Sequence, residues 1–308
     1  MFTRIVVPLD RTECALAALP TARALAARTG ATLALLHVLD HHYPSTDLAD
    51  QHRRDARQWL RQVARESQPE QIPTIIAVRD GTPAEEIVTY ADEIEADAIC
   101  MATHARTGIG RIMIGSVAER VVHDAPLPTL LIRPDVAAPE PSPHMPIVVP
   151  LDGSPRAEAA LPYATDLAKA LGTPLALVRA WNAAPPIIPG PYAFEINQAA
   201  FEAVEAVTAE RVATYLDGVA GRLRGDLAVE TVGLHGDATE QLAAYLREER
   251  PGLVVMGTHG RGGVPRWVMG SVAIALVRAA VAPILLVGDA CAHATERESA
   301  SVERLIAR

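Results

Sequence analysis

The chain has 308 residues, enough for two domains, and 49% of them are hydrophobic, which is ample for packed cores. Its formal net charge of −9 argues against nucleic-acid backbone as the main partner, and no run of 18 or more apolar residues is present to span a membrane. Three scattered cysteines and an N-terminus, MFTRIVVPLD, without a long apolar region argue against a disulfide framework and a signal peptide, so a cytoplasmic protein is expected.

Read from its start, the chain repeats itself. Residues 5–37 and 147–179 align without gaps at 18 of 33 positions, IVVPLDRTECALAALP against IVVPLDGSPRAEAALP at their heads. A second block, MATHARTGIGRIMIGSVAERVV (101–122), matches MGTHGRGGVPRWVMGSVAIALV (256–277), and the offset grows from 142 to 155. Extra residues therefore lie in the second half, with the proline-rich stretch 183–194 as their obvious place. RPDVAAPEPSPHMP (133–146) between the halves has the composition of a short stiff linker. Domains at 1–134 and 145–288 follow, with a C-terminal tail at 289–308.

Within the second half, apolar runs of strand length fall at 146–151, 175–180, 227–232, 253–257 and 283–287. Helical patterns at 156–171, 194–222, 239–249 and 271–280 separate them. Continuous apolar strands alternating with helices predict an α/β fold: two doubly wound, Rossmann-like domains in tandem, each with a five-stranded parallel sheet. Ligands of such sheets bind beyond the carboxyl ends of the strands, where the strand order reverses.

Two loops meet that condition. The first strand ends at Pro150-Leu151-Asp152 before Gly153-Ser154-Pro155, where Ser154 suits an N-cap and Pro155 the first helical position. The fourth leads into MGTHGRGGVPRWVMGS, with glycine at 257, 260, 262, 263 and 270 and a helix predicted from Ser271. By itself this stretch reads either as a mobile loop or as a cradle whose N–H groups hold an anion. Its place beside the first strand's loop favours the cradle. A P-loop needs a lysine after its glycines, and the chain's one lysine, Lys169, lies in a helical stretch. The G-x-G-x-x-G fingerprint, paired metal-binding histidines and G-x-S-x-G are also missing. Binding is supported better than chemistry, and no metal site or catalytic residue is read.

At these residues the chain resembles the universal stress protein family in its tandem form. Gly257-Thr258-His259-Gly260, nine residues, then Gly270-Ser271 is similar to the G-x-x-G…G-S motif of members that bind ATP, and V-P-L-D closes the first strand. The resemblance covers essentially residues 1–288. It implies that Pro150, Asp152 and Ala180 lie about the adenine and ribose. It implies further that Gly257, Gly260, Gly270 and Ser271 hold ribose and phosphates, with Met256, His259, Arg261 and Val272 as binding candidates beside them, and ATP as the ligand, accompanied by Mg2+.

The first half keeps the corresponding Asp10, Val38, Gly115, Ser116 and Val117 but has Ala102 and Ala105 for the first two glycines, and Arg11 for Gly153. A weaker, empty or altered first site is expected, with Arg11 either reaching into the crevice or merely tolerated; relaxed constraint on a duplicated domain gives the same substitutions. His104 and His259 read as structural hydrogen-bonding residues more readily than catalytic ones. Arg106 and Arg261 are phosphate contacts or solvated. Ser116 with Glu119 spells a capping box. His41, His42 and His52 read as polar loop, Cys100 as inert core, and the tail as a short amphipathic helix.

The expected function is a regulatory ATP-binding protein of the stress response. The alternatives are a weak ATPase or adenylyl-transferring relative, or a dimerisation scaffold with vestigial sites. The resemblance places the apolar strands 129–132 and 284–287 at the sheet edge, where an exposed apolar strand invites pairing, so they are expected to pair antiparallel within one chain. Any further dimer would then use the tail or the 183–194 loop.

Overall fold

The computed structural model describes residues 2–40, 46–66, 72–103, 114–135, 145–183, 193–225, 227–258, 269–279, 282–288 and 291. The centres of both motif loops (with His104, Arg106, His259, Gly260 and Arg261), residues 136–144 of the linker, most of the proline-rich stretch, His41, His42 and all of the tail but Cys291 lie outside them.

The first half runs β1 (Arg4–Pro8), α1 (Glu13–Leu16), α2 (Ala18–Thr29), β2 (Thr32–Leu39), α3 (Thr46–Glu66), β3 (Thr74–Asp80), α4 (Pro83–Glu93), β4 (Ala98–Ala102), α5 (Ser116–Asp124) and β5 (Thr129–Ile132). The second repeats it as β6 (Ile147–Pro150), α6 (Pro155–Glu158), α7 (Leu161–Leu171), β7 (Leu175–Trp181), α8 (Ala193–Leu223), β8 (Val229–His235), α9 (Ala238–Glu249), β9 (Leu253–Gly257), α10 (Ser271–Ala279) and β10 (Ile284–Val287). The α/β, mostly parallel fold expected for each half is the one observed.

The helix expected over 156–171 is broken in two, and so is its first-half counterpart. Pro162 and Pro20 are the cause: without an N–H, neither can donate to the carbonyl four residues back, Glu158 or Leu16, where the short α6 and α1 end. The third strand of the second half begins and ends later than the expected 227–232. Its parallel pairing carries it through Gly233 until His235 lies opposite Trp181. Gly30 and Gly172 end α2 and α7 at φ +73° and +68°, left-handed turns that glycine takes at least cost.

All ten strands form one sheet in the order β3-β2-β1-β4-β5-β10-β9-β6-β7-β8. Pairing is parallel within each half and antiparallel where β5 meets β10, with Leu131 opposite Ile284 and Leu130 opposite Leu285. Alternate strand residues face opposite sides. Ile5, Val7, Leu35 and Leu177 pack with α2, α3, α7 and α8 on one side, while Val6, Leu36, Val148 and Val254 pack with α4, α5, α9 and α10 on the other. Each cluster runs through both halves. Two arginines also cross between them: the Arg28 guanidinium donates to the Leu171 carbonyl at 2.5 Å, and Arg133, paired with Asp135, donates to the Arg278 carbonyl at 2.7 Å. Among the described residues, no helix is long and apolar enough to cross a membrane.

Candidate functional site

The strand order reverses between β1 and β4 and between β6 and β9, the places where sheets of this kind form a crevice beyond the carboxyl ends of the strands. In the second half its first wall is the turn after β6. Asp152 Oδ1 accepts from the Ser154 amide at 2.9 Å and from its hydroxyl at 2.6 Å, and the Ser154 hydroxyl oxygen in turn accepts from the Ala157 amide at 3.2 Å. The carboxylate therefore folds the turn that ends the strand, with Gly153 at φ +84°. The first half builds the same turn from Asp10 and Thr12, at 3.0 and 2.6 Å, with Arg11 forced to φ +70°. A side chain in that conformation costs roughly 1 kcal/mol. The Arg11 guanidinium stands 5.7 Å from the centre of the Trp59 ring on α3. The structure stacks this cation on a neighbouring helix, a place that neither expectation named.

The second wall is the end of β7. β6 stops with Pro150 opposite Val178, and the Leu151 amide makes a last bond of 2.7 Å to the Val178 carbonyl. Backbone groups of a strand alternate sides, so the N–H and C=O of Ala180 point to the side that β6 has vacated. Gly236 N–H bonds the Trp181 carbonyl on the opposite side at 2.8 Å. Val38 stands in the same relation to β1, whose last bond is Leu9 N–H to the Leu36 carbonyl at 2.8 Å. Each half thus offers one exposed backbone donor and acceptor beside an aspartate.

The third wall is the amino end of α10. Gly257 is the last residue of β9, opposite Val287, and buried Thr258 follows it. The Gly270 amide donates to the Thr258 carbonyl at 2.8 Å and so closes the neck of the loop. That amide is spent within the chain. The first helical bond is Ile274 N–H to the Gly270 carbonyl at 3.0 Å, which leaves the amides of Ser271, Val272 and Ala273 as the orphan donors at the positive end of the helix. At the equivalent place Gly115 takes φ +87° as the cap of α5, with no side-chain capping bond. The expected capping box of Ser116 and Glu119 is therefore not formed. Ser116 is already the first helical residue, which puts Glu119 one position too far along to reach back. Met256 contributes main chain only, since its side chain packs in the core with Ala273 and Leu276.

The structure therefore brings Pro150, Asp152, Ala180, Gly257, Gly270, Ser271 and Val272 to one crevice, and Asp10, Val38, Gly115, Ser116 and Val117 to the other.

Sequence reasoning missed the layer behind these walls. Buried His37 holds the Leu9 carbonyl at 2.6 Å and meets Trp59 edge-on at 5.6 Å. Burial pushes its pKa below 6.5; the Leu9 carbonyl opposes this and Arg11 assists it, so the ring is neutral at pH 7. In the second half the same positions are Arg179 and Tyr215, with the guanidinium 4.7 Å from the ring centre. The Tyr215 hydroxyl donates to Glu158 at 2.9 Å, and Arg222 donates to the other oxygen of that carboxylate at 2.7 Å. Burial and then Glu158 push the phenol far above its ordinary value. Only the repeat alignment of His37 with Arg179 could have drawn attention here. Cys100 is core, as expected, its thiol pushed up to about 12 by burial.

Against known proteins, residues 1–133 and 144–288 each match the universal stress protein family. Universal stress protein Rv2005c of Mycobacterium tuberculosis is 31% identical over 207 residues, which are 67% of this chain and 65% of that protein. The chain spans just under two thirds of the length of this relative. Universal stress protein MJ0531 of Methanocaldococcus jannaschii is 28% identical over 141 residues, 43% of this chain and 83% of that one. Among solved structures, a universal stress protein from Archaeoglobus fulgidus superposes with a TM-score of 0.68 at 20% identity, covering 92% of this chain and 98% of that one, a likeness of fold. Two family matches that fill nearly the whole chain, on a sheet order repeated in both halves, show that the chain belongs to the universal stress protein family, with two of its domains in tandem.

Proposed function

We propose that the second crevice binds ATP, with its Mg2+, and that the protein is a cytoplasmic regulatory binder rather than a turnover enzyme. The observation that carries this reading is the convergence of three elements on the reversal point of one sheet. Orphan amides at Ser271, Val272 and Ala273 suit phosphate oxygens. The paired donor and acceptor of Ala180 suit the edge of a purine, and Asp152 between them suits ribose hydroxyls. Three cysteines, few and scattered along the chain, fit a reducing compartment. The first crevice has the same walls but a strained Arg11, and it serves as the weaker site.

Calorimetry with Mg-ATP on the full chain tests this. We expect one dominant site, weakened about tenfold or more by Asp152→Ala and little changed by Asp10→Ala. Loss of binding with Asp10→Ala alone would reverse the assignment, and no heat or retained nucleotide in any variant would remove it. Steady-state phosphate release should stay far below about 1 per second. Faster turnover abolished by Asp152→Ala would make the protein an enzyme.

A further inference from the structure

β3 and β8 close the ten-stranded sheet at its two ends, so each has one side without a neighbouring strand. On β3 that side can be assigned residue by residue. The Pro73 carbonyl accepts from the Leu33 amide of β2 at 2.9 Å, and the Gly81 amide donates to the Leu39 carbonyl at 3.2 Å. Backbone groups of a strand alternate sides, so the amides and carbonyls of Thr74, Ile76, Val78 and Asp80 point away from the sheet. No described residue bonds them, and the strand has neither a proline nor a bulge to discourage an added strand. Ile75, on the face away from α3, is 42% exposed. Beside this edge lies a row of cations. Arg53 of α3 donates to Asp80 at one end of β3 at 2.8 Å, and Ala64 lines a cavity with Ile72 and Thr74 at the other. α3 therefore runs along the whole strand, on the side of Ile76 and Val78. From Arg53, the residues Arg57, Arg61 and Arg65 follow at steps of four, about 6 Å each, in a row that winds slowly from the β3 flank to the top of the helix. These three are exposed, and none has an ion-pair partner among the described residues.

We propose that the free edge of β3 binds an extended acidic segment of another protein, which adds to the sheet as an antiparallel strand. Alternate residues of a strand stand about 6.8 Å apart on one face, close to the step of the arginines. Glutamates opposite Thr74, Ile76 and Val78 thus rise beside α3 at the spacing of Arg65, Arg61 and Arg57. Apolar residues between them cover Ile75 and Ala77 on the other face. The pair that Arg53 already makes with Asp80 is the first rung of the same register. In antiparallel pairing these glutamates are also the residues whose own amides and carbonyls meet the free groups of β3. A lipid surface or a nucleic acid offers charge but no backbone of that repeat. A second copy of the chain is disfavoured here, because β3 against β3 about a twofold sets the two arginine rows side by side. β8 has acids beside it instead: Asp217 accepts from the Thr231 hydroxyl at 3.3 Å, and Glu205 pairs with His235 at 3.0 Å. The preference for an acidic strand therefore belongs to one end of the molecule, and it does not depend on nucleotide.

Fluorescence anisotropy of the full chain with a labelled peptide as long as β3, alternating glutamate and valine, tests this. We expect saturable binding at about 0.1 M salt, weakened about tenfold or more at about 1 M. Arg57→Glu with Arg61→Glu should weaken it as much while the unfolding midpoint stays unchanged, because each reversal turns an attraction into a repulsion. A peptide of the same composition with its glutamates in one block should bind about tenfold more weakly, since it offers charge without alternation. N-methylation of the glutamate amides should abolish binding, and N-methylation of the valine amides should not. No binding by the alternating peptide, equal binding by the block peptide or by the two methylated peptides, or indifference to the arginine reversals overturns the proposal. So does self-association of the chain without peptide that the same reversals abolish, which assigns the edge to a second copy.

Discussion

His37 is the residue whose chemistry reaches furthest beyond its own position. It sits between the Leu9 carbonyl, just past the end of β1, and the Trp59 ring, and its folded pKa lies below the ordinary 6.5. The neutral ring therefore stabilises the fold fully above pH 6.5, and this contribution is lost as pH falls from 6.5 through the folded value. His37→Gln keeps a donor for Leu9 and does not titrate. Wild type should lose more stability than this variant between about pH 7.5 and 5, as read from urea midpoints, since only the histidine changes its proton count there. Equal losses would place the acid sensitivity elsewhere. Nothing in HVLD marked this role, because a histidine in a strand looks the same whether it caps a neighbour's carbonyl or faces water. Asp152 and Gly153 were legible, since an aspartate before glycine and serine can fold the chain locally with no help from distant residues.

At the scale of elements, what could be read were the periods and what could not were the ends. Apolar runs located every strand of the second half, yet β8 extends to His235 because its partner β7 does. Such register is a property of the pair. The division of α6 from α7 was in principle visible at Pro162, since a missing amide is a local fact. The capping box at Ser116 failed for a local reason: Gly115, at φ +87°, turns the chain into α5 one residue earlier than the motif suggests. Glycines that do end helices give a direct test. An added Cβ at Gly30 has nothing within 4 Å, and at Gly172 meets only Arg28 at 3.8 Å, so the left-handed backbone is the whole penalty. Alanine at either position should cost about 1 kcal/mol in chemical denaturation. A neutral result would mean that the turn relaxes to another conformation.

For the molecule as a whole, the joined sheet makes two domains one cooperative body. Leu131 and Leu286 are 2% and 1% exposed and share one core cluster with residues of both halves. Glutamate at either position buries a charge without a partner and should cost several kcal/mol, splitting a single calorimetric transition or lowering its midpoint sharply. An unchanged midpoint and an unchanged radius of gyration would show that the core does not depend on this seam. The repeat itself was legible from identity alone. That its two copies share a sheet rests on the pairing of β5 with β10, which identity between the halves does not encode.

The antiparallel seam has one more effect. Because the strands of one half run opposite to those of the other, the two crevices open at opposite ends of the strands, and the seam is held by a tether of nine residues between Asp135 and Met145. Covalent linkage sets the effective concentration of each half for the other in the millimolar range, so the pairing survives dilution that would separate two chains. Were the halves identical subunits, every substitution would appear at both mouths. Here it appears at one. The first mouth can carry Arg11, Ala102 and Ala105 while the second keeps Gly153 and Gly257, and a single polypeptide holds two crevices free to diverge without ever losing their partner.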